Sequence, residues 1–173
     1  LVEIYLKNPE IKSDILEYPD FLIEKIDAID LKFMQENVVP HVDIRVNTLK
    51  SSLDKVMKDL ASFNPTKLKN VYNGIRINKR VDLNTIKSFK AGHFEIQDEG
   101  SQLVSSMIKM GNSVLDYCAG AGGKSLFLAD KMKNKGEIVA YDIVPSKLDE
   151  LNKRAKKLGI DIISTRYPFD FEP

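Results

Sequence analysis

From His41 onward the chain alternates between two periodicities. Val42, Ile44 and Val46 alternate with Asp43 and Arg45, the pattern of a strand buried on one face, and Asn47-Thr48 ends it. Ser52 then stands where a helix N-cap belongs, and Leu53, Val56, Met57 and Leu60 recur at helical spacing toward Phe63. Asn64-Pro65 breaks that helix. Val71-Tyr72, the turn Asn73-Gly74 and Ile75-Arg76-Ile77 predict a short strand or hairpin. Leu83, Ile86 and Phe89 predict another short helix closed by Ala91-Gly92, and His93-Phe94-Glu95-Ile96 a strand returning to the same sheet. This β-α-β-(α)-β order is that of a small split α+β domain over 42–96.

The pattern then changes register. Asp98 can cap a helix whose apolar positions are Leu103, Val104, Met107 and Ile108. Val114-Leu115 predicts a strand, and Leu126, Leu128, Ala129 and Met132 a helix ending by Asn134-Lys135-Gly136. Ile138–Tyr141 reads as a buried strand with Asp142 at its end. Pro145 opens a helix with Leu148, Leu151, Ala155 and Leu158 on one face and Gly159 as its C-terminal cap. Ile160, Ile162 and Ile163 begin a third strand. Strand, helix, strand, acid, helix, strand is the first half of a doubly wound α/β sheet, here a Rossmann-like unit over 97–173.

Residues 1–39 carry apolar residues at near-helical spacing (Ile11, Ile15, Phe21, Leu22, Ile26, Ile29) interrupted by Pro9 and Pro19, which predicts a helical N-terminal segment over 1–41. The charge is uneven. Of 26 basic and 25 acidic residues, 1–41 hold four lysines and nine acids, so the remainder has a basic surplus of six. That bias is compatible with a polyanionic partner. No apolar run reaches the ~18 residues of a membrane helix. One cysteine excludes an internal disulfide and fits a reducing, cytoplasmic setting. His41 and His93 lie far apart without metal-ligand spacing, so no metal is expected.

The chemistry concentrates in Val114–Ser125, VLDYCAGAGGKS. A strand carrying Asp116 near its end runs into Cys118-Ala119-Gly120-Ala121-Gly122-Gly123, six residues with little or no side chain, and then Lys124-Ser125. Such a turn admits a ligand to the backbone and aims helix N–H groups at it. Three cofactor turns compete. A phosphate loop requires glycine where Cys118 stands, and a dinucleotide fingerprint requires glycine where Ser125 stands. An S-adenosylmethionine turn, a strand acid followed by small-x-Gly-x-Gly, is matched by Asp116, Cys118, Gly120 and Gly122. A tight turn with no ligand is the remaining reading. Asp142, 26 positions after Asp116, stands close to where an acid meets a ribose.

DYCAGAGGKS resembles the D-x-C-A-A-P-G-G-K-T signature of the Sun/Fmu (NOL/NOP/Sun) family of RNA 5-methylcytosine methyltransferases. Two upstream segments resemble the same family, Arg45–Lys50 (RVNTLK) and Gly92–Ser101 (GHFEIQDEGS). Gly120, Ala121 and Gly100 depart from its usual alanine, proline and alanine. The resemblance implies that Cys118, Ala119, Gly120, Ala121, Gly122, Gly123 and Lys124 wrap S-adenosylmethionine, that Asp142 holds its ribose and that Asp170 lies near the adenine. It implies that 42–96 is an RNA-recognition-like subdomain and that the partner is RNA, ribosomal RNA in the first instance.

Methylation at carbon 5 of cytosine needs a thiolate adding at carbon 6. The family supplies that thiolate beyond the fourth strand, past the last residue here, whereas Cys118 matches the cofactor-turn cysteine. This chain alone is therefore expected to be inactive, with no catalytic residue of its own. Lys67, Lys69, Arg76, Lys79 and Arg80, with Tyr72 interleaved, are the candidate RNA contacts. Lys153, Arg154, Lys156 and Lys157 form a basic helix face equally suited to solvent or RNA. The alternatives are a methyltransferase acting on a protein or small molecule, and a non-catalytic cofactor-binding or RNA-binding module.

Overall fold

Two sheets of opposite character lie side by side in the computed structural model, which describes residues 41–79, 81–109 and 111–168. The helical N-terminal segment, Arg80 and Asp170 fall outside the described residues.

The first sheet is antiparallel, in the order β2-β3-β1-β4. Its strands are β1 (Val42–Val46), β2 (Thr66–Lys67), β3 (Gly74–Ile77) and β4 (Phe94–Ile96). Ile44 of β1 pairs with Ile75 and Ile96 on its two sides. Helix α1 (Leu53–Asp59) is capped by Ser52, whose hydroxyl accepts from Lys55 N–H, and α2 is the single turn Lys87–Lys90. Ile44, Val46, Val56, Leu60, Ile75, Ile77, Leu83 and Phe94 form this sheet's core. The hairpin differs from the sequence expectation. Val71-Tyr72 is not a strand; β3 pairs with Thr66–Lys67 across a six-residue loop, Leu68–Asn73. Val71 is apolar because it plugs the core of that loop, not because it alternates along a strand.

The second sheet is parallel, β5-β6-β7, from β5 (Ser113–Asp116), β6 (Glu137–Tyr141) and β7 (Ile163–Arg166). Each parallel connection passes through a helix, α4 (Gly123–Lys131) and α5 (Pro145–Leu158). On α5 the expected face is the buried one. Leu148, Leu151, Ala155 and Leu158 pack with Leu126, Leu128, Ile138 and Ala140, and Gly159 ends the helix in the left-handed region.

Helix α3 (Glu99–Met107), capped by Asp98, reverses its expected polarity. Leu103, Val104 and Met107 are 39%, 55% and 75% exposed, while Gln102 and Ser105 are buried. Burial of those polar groups is tolerated because each has a partner. Gln102 Nε2 donates to the Gln97 carbonyl at 2.7 Å, and Ser105 Oγ to the Ser101 carbonyl at 2.8 Å.

The RVNTLK segment joins the two sheets. Arg45 Nε donates to Gln97 Oε1 at 2.9 Å, and its Nη1 lies 3.5 Å from Asp130 on α4. Asn47 Nδ2 donates to the carbonyls of Gly92 and Leu158. Thr48 donates through both N–H and hydroxyl to Asp130 Oδ1, at 3.1 and 2.6 Å. Lys50 Nζ reaches the Lys157 carbonyl at 2.6 Å. Both members of the Arg45–Asp130 pair are buried, so the pair fixes geometry more surely than it adds stability.

Candidate functional site

The glycine-rich turn lies at the carboxyl ends of β5 and β6, where parallel α/β sheets leave a crevice. Three contacts shape it. Ala119 N–H donates to the Tyr141 carbonyl at 2.9 Å, Gly122 N–H to the Ala119 carbonyl at 2.9 Å, and Ser125 Oγ to Asp116 Oδ2 at 2.6 Å. The last contact bears on the competing motifs. In a phosphate loop the hydroxyl after the lysine faces a metal ion, whereas the buried Ser125 hydroxyl is held by the strand acid.

Three glycines divide the labour. Gly122 adopts φ +86°, and a Cβ there would meet Leu151 Cγ at 2.5 Å, so it lets the turn close on α5. Among the described residues, an added Cβ at Gly120, at φ +53°, or at Gly123 meets no atom within 4 Å beyond its chain neighbours and the helix's own backbone. Open space above backbone amides is what an approaching ligand requires. The N–H groups of Gly123, Lys124 and Ser125 precede the first bond of α4, from Leu126 N–H to the Gly122 carbonyl, and carry the positive end of the helix dipole.

Asp142 faces this turn from the end of β6. Its Oδ2 accepts from Gly120 N–H at 2.8 Å and its Oδ1 from Val144 N–H at 2.9 Å. The Val144 and Gly120 amides hold its carboxyl below the ordinary carboxylate range, with Lys147 adding to the effect. Each oxygen keeps one lone-pair direction beyond these bonds, enough for two hydroxyl donors on neighbouring carbons. Tyr117 and Tyr141, the residues beside the two acids, stack with ring centroids 4.8 Å apart. Cys118 and Lys124 are exposed at the rim, and Ala119 is buried beneath.

Arg154 underpins the turn from α5. Its Nη1 donates to the Ala121 carbonyl at 2.7 Å, while Nε and Nη2 clasp Glu95 Oε2 of β4 at 3.0 and 2.8 Å. Lys157 forms a second ion pair with Glu95. Half of the basic face of α5 is thus spent inside the molecule. No periodicity could reveal this, because the acid that engages it lies 59 positions earlier, in the other sheet.

The candidate RNA contacts are less uniform than their spacing suggests. Lys67, Lys69 and Tyr72 lie on the β2–β3 hairpin and are exposed, Tyr72 by 91%. Arg76 points instead into an ion-pair cluster. Its Nε and Nη2 bind Asp43 at 2.7 Å each, and Nη2 lies 3.3 Å from Glu99. Burial alone would raise the Asp43 carboxyl, but the bonds from Arg76 and from Glu99 N–H outweigh it and hold it low. Lys79 stands over the Phe63 ring, 5.0 Å from its centroid. Among the described residues no group of three His, Cys, Asp or Glu side chains could hold a metal ion, and no helix is long and apolar enough to cross a membrane.

The β-α-β-α-β unit with its ligand-accessible turn defines a Rossmann-like fold of the methyltransferase class. The crystal structure of PH0851 matches 86% of this chain with a TM-score of 0.74 at 30% identity, covering 36% of that protein. The crystal structure of NSun6 from Pyrococcus horikoshii with SFG shares the fold, with a TM-score of 0.75 over 91% of this chain and 66% of that one at 17% identity. Residues 107–168 match the family model described as 16S rRNA methyltransferase RsmB/F. The probable ribosomal RNA small subunit methyltransferase B of Bacillus subtilis is 42% identical over 77 residues, 43% of this chain and 17% of that protein. Its counterpart from Synechocystis is 28% identical over 84% of this chain and 35% of its own length. The human 28S rRNA (cytosine(4447)-C(5))-methyltransferase is 28% identical over 83% of this chain and 19% of its own length. Over residues 107–168 the chain is thus similar to the RsmB/F rRNA methyltransferases, and it spans about a third or less of the curated relatives named here.

Proposed function

We propose that this chain is the cofactor-binding and RNA-contacting part of an S-adenosylmethionine-dependent RNA (cytosine-5) methyltransferase acting on ribosomal RNA. The observation that carries the proposal is the open cradle above Gly120 and Gly123 with the ionised Asp142 facing it. The donor set fits the cofactor. Asp142 receives the two ribose hydroxyls, and the amides of Gly123 and Lys124 at the start of α4 receive the methionine carboxylate. Arg154 holds Ala121 so that the turn keeps its shape with the cofactor in place.

When bound, S-adenosylmethionine supplies an electrophilic methyl group. The attack on carbon 6 of cytosine that prepares carbon 5 to receive it requires a nucleophile, and Cys118, exposed in the cofactor turn, is the one thiol in these residues. The function proposed for this chain is therefore binding, of cofactor and of RNA, with the carbon-6 nucleophile not among its residues. RNA contact is assigned to Lys67, Lys69 and Tyr72 of the β2–β3 hairpin.

Calorimetry tests this reading. S-adenosylmethionine and S-adenosylhomocysteine are expected to bind with one-to-one stoichiometry, and NAD and ATP to give no heat. Tight ATP binding with no response to S-adenosylhomocysteine would replace the reading with a phosphate loop.

A further inference from the structure

A groove of about 930 Å³ runs along the first sheet on one side of the β2–β3 hairpin loop, lined by Ser51, Lys67, Lys69, Tyr72, Asn73 and Lys133 among others. A cleft of about 320 Å³ adjoins it and shares Thr48, Val71, Tyr72, Asn73 and Lys133 with it. The two form one channel past Tyr72. Neither contains any residue of the glycine-rich turn. Lys131 and Lys133 place the channel at the C-terminal end of α4, whereas the turn lies at its N-terminal end.

We propose that this channel seats a single-stranded stretch of RNA flanking the target nucleotide, with one base stacked on Tyr72 and phosphates on Lys67, Lys69 and Lys133. The inference rests on the RNA reading above and adds a location, a strandedness and Lys133 from the turn after α4. Three observations support it. Tyr72 is 91% exposed on a loop whose neighbour Val71 is buried, so its position is held while its ring faces water. Lys69 makes no ion pair or hydrogen bond among the described residues, and Lys67 has only the exposed Asp54 at 3.4 Å. Lys133 Nζ reaches Thr48 Oγ1 at 2.9 Å across the joint between the sheets, which fixes its charge on the channel.

A free aromatic face beside lysines suits an unpaired base and its backbone; the bases of a duplex are already stacked and offer no face to Tyr72. Helix α4 has nine residues, so its end at the channel lies about 13 Å from its end at the cofactor turn, roughly four stacked nucleotide steps.

Fluorescence anisotropy with a labelled single-stranded RNA of about 12 mixed-sequence nucleotides at low salt tests the proposal. Tyr72→Ala is expected to weaken binding about tenfold and Tyr72→Phe to leave it near wild type. Lys69→Gln should lower the slope of log affinity against log salt by about 1. A blunt duplex of the same sequence should be insensitive to Tyr72→Ala, and saturating S-adenosylhomocysteine should leave the Tyr72 dependence unchanged. Full single-strand affinity in Tyr72→Ala and Lys69→Gln would overturn the channel alone. Absence of RNA binding by the wild-type chain would remove the RNA reading and the channel with it. Because Tyr72 is exposed, an unchanged melting temperature in Tyr72→Ala will show that any lost affinity is not lost folding.

Discussion

Gly122 and Gly123 are adjacent and chemically identical, yet their surroundings assign them different work. Alanine at 122 must take φ +86° and collide with Leu151, so Gly122→Ala should destabilise the fold by about 1–3 kcal/mol in denaturant unfolding. Alanine at 123 meets nothing, so Gly123→Ala should change stability by less than about 0.5 kcal/mol while still weakening the cofactor. Equal effects of the two variants on stability would show that the division is wrong. Asp142 carries the complementary prediction. With its carboxyl held low by the Val144 and Gly120 amides, it stays ionised below the pH at which an ordinary aspartate, of pKa about 3.9, protonates. Cofactor affinity titrated by calorimetry should therefore stay flat down to that range, and Asp142→Asn should weaken it about tenfold at pH 7.

At the scale of elements, the joint between the sheets sets what the turn can do. Asp130 is held by Arg45 and by two bonds from Thr48, and removing it leaves a buried guanidinium without its acid. Asp130→Ala should cost about 3–5 kcal/mol in a chemical denaturation series, as breaking a buried pair does. Arg154 links Glu95 of β4 to the Ala121 carbonyl in the turn. Arg154→Met should weaken S-adenosylhomocysteine binding beyond what its stability loss explains, and Arg154→Lys should recover part of it. The sequence displayed α5 well, because a capped helix with one buried stripe is a local pattern. It misrepresented α3, where hydrogen bonds within the chain let Gln102 and Ser105 turn inward and Leu103, Val104 and Met107 turn outward. It also hid the joint, since Arg45 and Asp130 are 85 positions apart and neither stands out in its own periodicity.

Across the whole molecule, the parallel sheet, the turn and the acid after β6 were legible because each follows from neighbours in the chain. The channel beside the β2–β3 loop was not, because its lining includes Lys133, which arrives from the turn after α4. Stability should carry the mark of Asp43, which ties β1 to Arg76 and to the start of α3. Its folded carboxyl lies below its unfolded value, so its contribution is present above the ordinary aspartate range and is lost as pH falls through the folded value. An acid unfolding titration should show that limb, and Asp43→Asn should flatten it. Amide chemical-shift mapping with S-adenosylhomocysteine locates the cofactor. Shifts are expected at Gly120, Gly123, Lys124 and Val144 and none along Lys67–Asn73. Shifts confined to the β2–β3 hairpin, with the turn unmoved, would contradict that placement.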